Sequence, residues 1–151
     1  MAKLIMYEDI PEGATIWGVE LVADRDAMVE YAKQYDPWPF HIDDDAARKS
    51  MFGGLTASSG YTFSLWCKAV HSILRTPDAE WAFLGGYDLH VKMLQPVRPG
   101  DRLRLKVTIH TKRLSSKPGR GHVDSLHVFM KDTIPVFSVQ VRFLIATRDA
   151  I

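Results

Sequence analysis

A chain of 151 residues, 46% hydrophobic and 25% charged, is long enough for one real hydrophobic core, and it is read as one domain spanning residues 1–151. With 19 basic against 18 acidic side chains the net charge is +1, which gives no footing for nucleic acid or an anionic membrane but leaves room for a small anionic ligand. Cys67 is the only cysteine, which excludes an intramolecular disulfide and a thiolate metal cluster and makes a reducing, cytoplasmic setting the expectation.

The segment from Met1 to Asp9 turns acidic before an apolar run of signal-peptide length develops, and no run approaches the roughly 20 residues that cross a bilayer. Neither export nor membrane insertion is expected. After Pro11-Glu12-Gly13, the β-forming run Thr15 to Val22 predicts a first strand. Asp24 is a good helix N-cap, and Met28, Val29, Ala32 and Tyr35 recur at helical spacing up to the stop at Pro37. Asp36 therefore falls at the helix end, pushed into an extended turn by the proline that follows.

Past His41, the acidic triplet Asp43-Asp44-Asp45 before Ala46 to Ser50 suits a short helix with complementary charge at both ends. A long helix follows from about Ser58 to Leu74, apolar around most of its circumference with only Ser64, Lys68, His71 and Arg75 as a polar stripe. Such a helix has to be enclosed. From Trp81 onward the period changes to two: Tyr87, Leu89, Val91 and Met93, then Leu103 to Ile109, then Val123 to Met130, then Phe137 to Ile145. The stretch Lys112 to Arg120 reads as a basic loop between two of these strands. One strand, helices, then a four-strand meander argue for an α+β domain in which a single antiparallel sheet wraps a long central helix.

Asp36-Pro37-Trp38-Pro39-Phe40-His41 is the stretch with the most chemistry in it. A carboxylate and an imidazole five residues apart, with two prolines between them, have little backbone freedom, as an acid/base pair requires. A turn aspartate and a surface histidine would leave the same spacing, so spacing alone keeps both readings open. Ser58 and Ser59 lack the flanking glycines of a nucleophile elbow and suit helix capping. The six histidines show no metal-ligand spacing, and His90 and His110 fall on the wet faces of strands, so no metal is expected.

The run Asp36-Pro37-Trp38-Pro39-Phe40-His41-Ile42-Asp43, continued by Phe52-Gly53-Gly54 and Ser58-Ser59-Gly60, resembles the signature of the MaoC-like acyl dehydratases, the (R)-specific enoyl-CoA hydratase group of the hotdog fold. Pro96-Val97-Arg98-Pro99-Gly100-Asp101-Arg102-Leu103 is similar to a strand turn of the same family. Trp38 stands where the commoner signature has asparagine, and Ser59 where it has histidine. The resemblance implies a hotdog domain in which Asp36 and His41 hold a water for addition to an enoyl thioester. It further implies that Gly60 offers its backbone N–H to the enolate oxygen, and that Trp38, Phe40 and Ser59 line the acyl pocket. No separate cofactor is implied, coenzyme A or an acyl carrier being part of the substrate. Lys112, Lys117 and Arg120 are either partners for coenzyme A phosphates or a solvated loop. The resemblance also implies a homodimer or higher homo-oligomer, which agrees with the edge strand a monomer would leave open. A thioesterase and a non-catalytic acyl-thioester binder use the same fold and remain the competing expectations.

Overall fold

Alternation along the last three long strands decides which face of the sheet is dry. The structure, a computed structural model, describes residues 1–150. In chain order it contains β1 (Lys3–Ile5), β2 (Thr15–Val22), α1 (Arg25–Tyr35), α2 (Pro39–Ile42), α3 (Asp44–Arg48), α4 (Ser59–Leu74), β3 (Ala79–Trp81), β4 (Phe83–Met93), β5 (Arg102–Leu114), β6 (Arg120–Lys131) and β7 (Ile134–Ala146). Leu103, Leu105, Val107 and Ile109 of β5, Val123 and Phe129 of β6, and Phe137, Val139, Val141, Phe143 and Ile145 of β7 all point to one buried face. Tyr61, Trp66 and Ala69 of α4 pack into that face. Register shifts in all four strand pairings bend the sheet around the helix.

The sheet has five antiparallel strands in the order β2-β5-β6-β7-β4, and β1 pairs with β3 in a separate two-stranded parallel ribbon. The expected wrapping of a central helix by an antiparallel sheet is therefore present, with a different strand order. Period-two patterning tells which face a side chain takes and says nothing of which strand lies beside which. β4 pairs with β7 and not with β5, so residues 94–101 are no hairpin. They carry the chain across the end of the sheet from its β4 edge to β5, beside the opposite edge.

Three local expectations need correcting. The apolar side chains of β4 do not face a closed core: Tyr87, Leu89, Val91 and Met93 are between 38 and 49% exposed. Their strand is an edge, and α4 packs mainly toward β2, leaving the β4 half of the sheet uncovered. The expected loop from Lys112 to Arg120 is shorter, since β5 runs to Leu114 and β6 starts at Arg120. Lys112 is occupied, its Nζ donating to the Tyr7 carbonyl at 2.7 Å and lying 4.3 Å from the Tyr7 ring. The hairpin with Lys117 and Arg120 lies at the end of β5 and β6 remote from the crossing segment, a strand length from the site described below.

The one imidazole buried under α4 shows how the core tolerates a polar group. Trp66 donates its Nε1–H to His127 Nδ1 at 3.1 Å, so the ring carries its own proton on Nε2, which meets Ser125 Oγ at 2.9 Å. Ser125 in turn donates to the Val141 carbonyl at 3.3 Å. A second ring proton would point at the indole N–H, and burial pushes the His127 pKa down to about 4. Below pH 6.5 the unfolded chain takes up a proton here that the folded chain refuses, so this contribution to stability is full above pH 6.5 and is lost as pH falls toward 4. Denaturant titrations between pH 7 and pH 4 should show wild type losing up to roughly 3 kcal/mol more than His127→Gln over that interval.

Candidate active site

Two prolines and three helix caps place the pair. Asp24 accepts from Ala27 N–H at 2.9 Å to start α1, and Pro37 ends it, leaving Asp36 as the last capping residue with its N–H on the Ala32 carbonyl at 2.8 Å. Pro39 then occupies the first turn of the short helix α2, where its missing N–H costs nothing. That single turn of helix, which spacing did not predict, rotates His41 back toward Asp36. His41 Nε2 lies 3.5 Å from Asp36 Oδ2.

His41 is only 8% exposed, and its other ring nitrogen, Nδ1, is 2.7 Å from the Thr56 carbonyl. A carbonyl oxygen only accepts, so Nδ1 carries a proton, and in the neutral imidazole the Nε2 lone pair is turned toward the Asp36 carboxylate. Two acceptors face one another there. A water placed in the adjoining space and donating a hydrogen to each would satisfy both.

Ser58 is the residue that sequence reasoning undervalued. It caps α4 as expected, accepting from Gly60 N–H at 3.3 Å, and its hydroxyl also donates to Asp36 Oδ2 at 2.7 Å. One hydroxyl thus joins the start of the buried helix to the carboxylate, and Asp36 Oδ1 is left for other partners. Its capping role was legible in the sequence; the bond to Asp36, 22 positions away, was not.

His41 opens on a cavity of about 280 Å³ lined by Phe40, His41, Phe52 and Thr56 to Ala57 on one wall, Ser59 at the helix start, and Met93 to Val97 on the other; Asp36 reaches it only through its contact with His41 and does not line it. Phe40 and Ser59 are among the residues around it. Trp38 is not: it is 60% exposed, with its ring parallel to that of Phe40 at 6.4 Å. The prolines on either side turn its side chain outward while Phe40, one residue into α2, turns inward. Gly60 stands at the expected helix start, but its N–H is engaged by Ser58 Oγ. A Cβ at this position would come within 2.3 Å of Tyr31 Oη, so close packing of α1 on α4 is itself a reason for glycine here. The walls formed by Phe52 and by Leu94 to Val97 were not identified from sequence, because only the crossing of residues 94–101 brings them to the pair.

Among the described residues no helix is long and apolar enough to cross a membrane. The family model described as MaoC like domain matches residues 12–128. The MaoC-like dehydratase of Rhodospirillum rubrum is similar in structure over 95% of this chain and 98% of its own, with a TM-score of 0.86 and 24% identity. The R-hydratase PhaJ1 of Pseudomonas aeruginosa, in its unliganded form, is similar over 95% of this chain and 86% of its own, with a TM-score of 0.68 and 18% identity. Among curated proteins, the uncharacterized protein YdeM of Bacillus subtilis (strain 168) is 27% identical over 139 residues, 83% of this chain and 87% of that protein.

Replacing Ser58 by alanine removes a helix cap and a charge-assisted hydrogen bond together. Urea denaturation of Ser58→Ala should show a loss of about 1 to 3 kcal/mol, with Ser58→Thr retaining most of the stability.

Proposed function

This chain belongs to the MaoC-like family of hotdog dehydratases and hydratases, and from that membership we propose that it is a hydro-lyase that reversibly adds water across the double bond of an enoyl thioester. The observation that carries the reading is the 3.5 Å pair of Asp36 and His41, with an imidazole proton fixed on Nδ1 by Thr56 and His41 itself lining an apolar-walled cavity. Asp36 and His41 hold the water between them. The carboxylate takes one hydrogen as the oxygen bonds to C3, and that hydrogen is returned through the pair to C2 on the same face. One hydrogen of the water ends on the new 3-hydroxyl and the other on C2; dehydration runs the same path backward.

Negative charge gathers on the thioester oxygen as C3 is attacked. The N–H groups of Ser59 and Gly60 at the first turn of α4 are the donors at hand, Gly60 sharing its long bond to Ser58. Ser58 keeps the carboxylate from rotating, and Phe40 and Phe52, whose rings lie 5.0 Å apart, keep bulk water from competing for it. The substrate is an acyl-CoA or acyl-carrier thioester that enters beside Phe40, with its acyl group between the Thr56 and Met93 walls. A second copy of the chain covers the open β4 edge and its exposed apolar row, giving at least a homodimer.

The decisive measurement is the loss of enoyl absorbance with crotonyl-CoA and longer enoyl-CoAs. Asp36→Asn and His41→Ala should each lower kcat by roughly 10² to 10⁴ without unfolding the protein. Release of free thiol in place of hydration would assign a thioesterase, and binding without turnover on any chain length would overturn the enzyme reading. Separately, Val91→Lys places a charge in the middle of β4, and sedimentation should then show a monomer where wild type is a dimer.

A further inference from the structure

The hydratase reading gives no role to Arg98, a cation whose side chain enters the loop behind His41. Arg98 lies in the crossing segment, and its backbone is held on every side. Pro99 and Gly100, the latter at φ 84°, form a tight turn closed by Asp101 N–H on the Arg98 carbonyl at 3.1 Å. The Arg98 N–H donates to Asp101 Oδ2 at 2.8 Å, and Asp101 Oδ1 is paired with Lys131 Nζ at 2.7 Å. Gly100 N–H and Ala23 N–H exchange bonds with the Ala23 and Asp101 carbonyls at 2.8 and 2.9 Å. The base of the side chain is therefore fixed to the end of the sheet.

From that base the guanidinium reaches back more than 40 residues in sequence to three backbone carbonyls: Gly54 at 2.8 Å, Leu55 at 3.3 Å, and Phe52. Among the described residues it forms no ion pair with a carboxylate. Its planar fork of donors is spent on ordering a loop that has no regular structure of its own and contains Gly53 at φ 67°. The preceding residue, Val97, continues the job: its carbonyl accepts from Ala57 N–H at 2.8 Å and from Thr56 Oγ1 at 3.4 Å. Between Leu55, held by Arg98, and Ala57, held by Val97, sits Thr56, whose carbonyl fixes the His41 proton.

We propose that Arg98 is a positioning residue for His41, acting through the carbonyls of residues 52–55 to hold the Thr56 carbonyl on Nδ1 and Phe52 on the cavity wall. The role rests on the hydro-lyase reading for its kinetic consequence, but the positioning itself is independent of it. Lysine replaces arginine only in part here, since a single ammonium on a flexible stem lacks the fork of donors that reaches three carbonyls.

The test uses Arg98→Ala and Arg98→Lys in the full chain, with circular dichroism to confirm folding. In the ¹⁵N-labelled apo protein, the His41 Nδ1–H resonance should broaden and exchange faster in both variants. On crotonyl-CoA, Arg98→Ala should lose roughly 10- to 100-fold in kcat with little change in KM, Arg98→Lys falling between it and wild type. Guanidinium ion at sub-denaturing concentration should restore part of the kcat of Arg98→Ala and leave wild type unaffected. A folded variant in which the His41 resonance and kcat are both unchanged, or a loss that appears only as a lower melting temperature, overturns the proposal. If the resonance moves in the variants while wild type hydrates no enoyl thioester, the positioning stands and the hydro-lyase reading falls.

Discussion

A backbone carbonyl has no proton to give, and at the center of this molecule that limitation is put to use. Because the Thr56 oxygen sits 2.7 Å from His41 Nδ1 inside the protein, the imidazole has one allowed tautomer, and its free lone pair is committed to the side where Asp36 lies. Everything nearby serves that commitment. Pro37 and Pro39 deliver the two side chains, Ser58 steadies the carboxylate, and the crossing segment supports the loop that carries the carbonyl. A side-chain acceptor in place of Thr56 O would have its own rotamers; a carbonyl pinned through its neighbours has none.

The architecture makes this support possible by an unequal sharing of the sheet. α4 lies toward β2, where Arg104 Nε donates to the Gly18 carbonyl and Ser72 accepts from Val19 N–H, so helix, strand and neighbour are tied on that side. The β4 side is left free of the helix. The cavity occupies that margin, between the start of α4 and the end of β4. The same asymmetry leaves an apolar edge strand uncovered, so the cavity and the exposed apolar row have one origin.

Much of this was legible in the residues. The caps Asp24 and Ser58 and the breaker Pro37 located α1 and α4 closely, and the period change after Leu74 located the cores of the long strands, which run several residues beyond the alternating stretches. The pair Asp36 and His41 was legible because the prolines make its geometry local. What depended on tertiary pairing was not. The placement of β4 at the far edge, the walls at Phe52 and Leu94 to Val97, and the bond from Ser58 to Asp36 across 22 positions all follow from contacts between distant segments. Trp38 misled for a different reason. Its place in the motif suggested the pocket, but the direction of a side chain between two prolines is set by backbone angles that composition does not display.

The position of β4 also bears on when the cavity is complete. Its sole partner in the sheet is β7, and both Leu94 and Gln95 donate to the carbonyl of Val136 from the same C-terminal region. On a ribosome, the segment behind the histidine would be complete long before the strand that immobilises it had been synthesised. A chain that has not yet made β7 has the helices but no seat for β4, so the Met93 to Val97 wall of the cavity takes its place only when the last long strand docks.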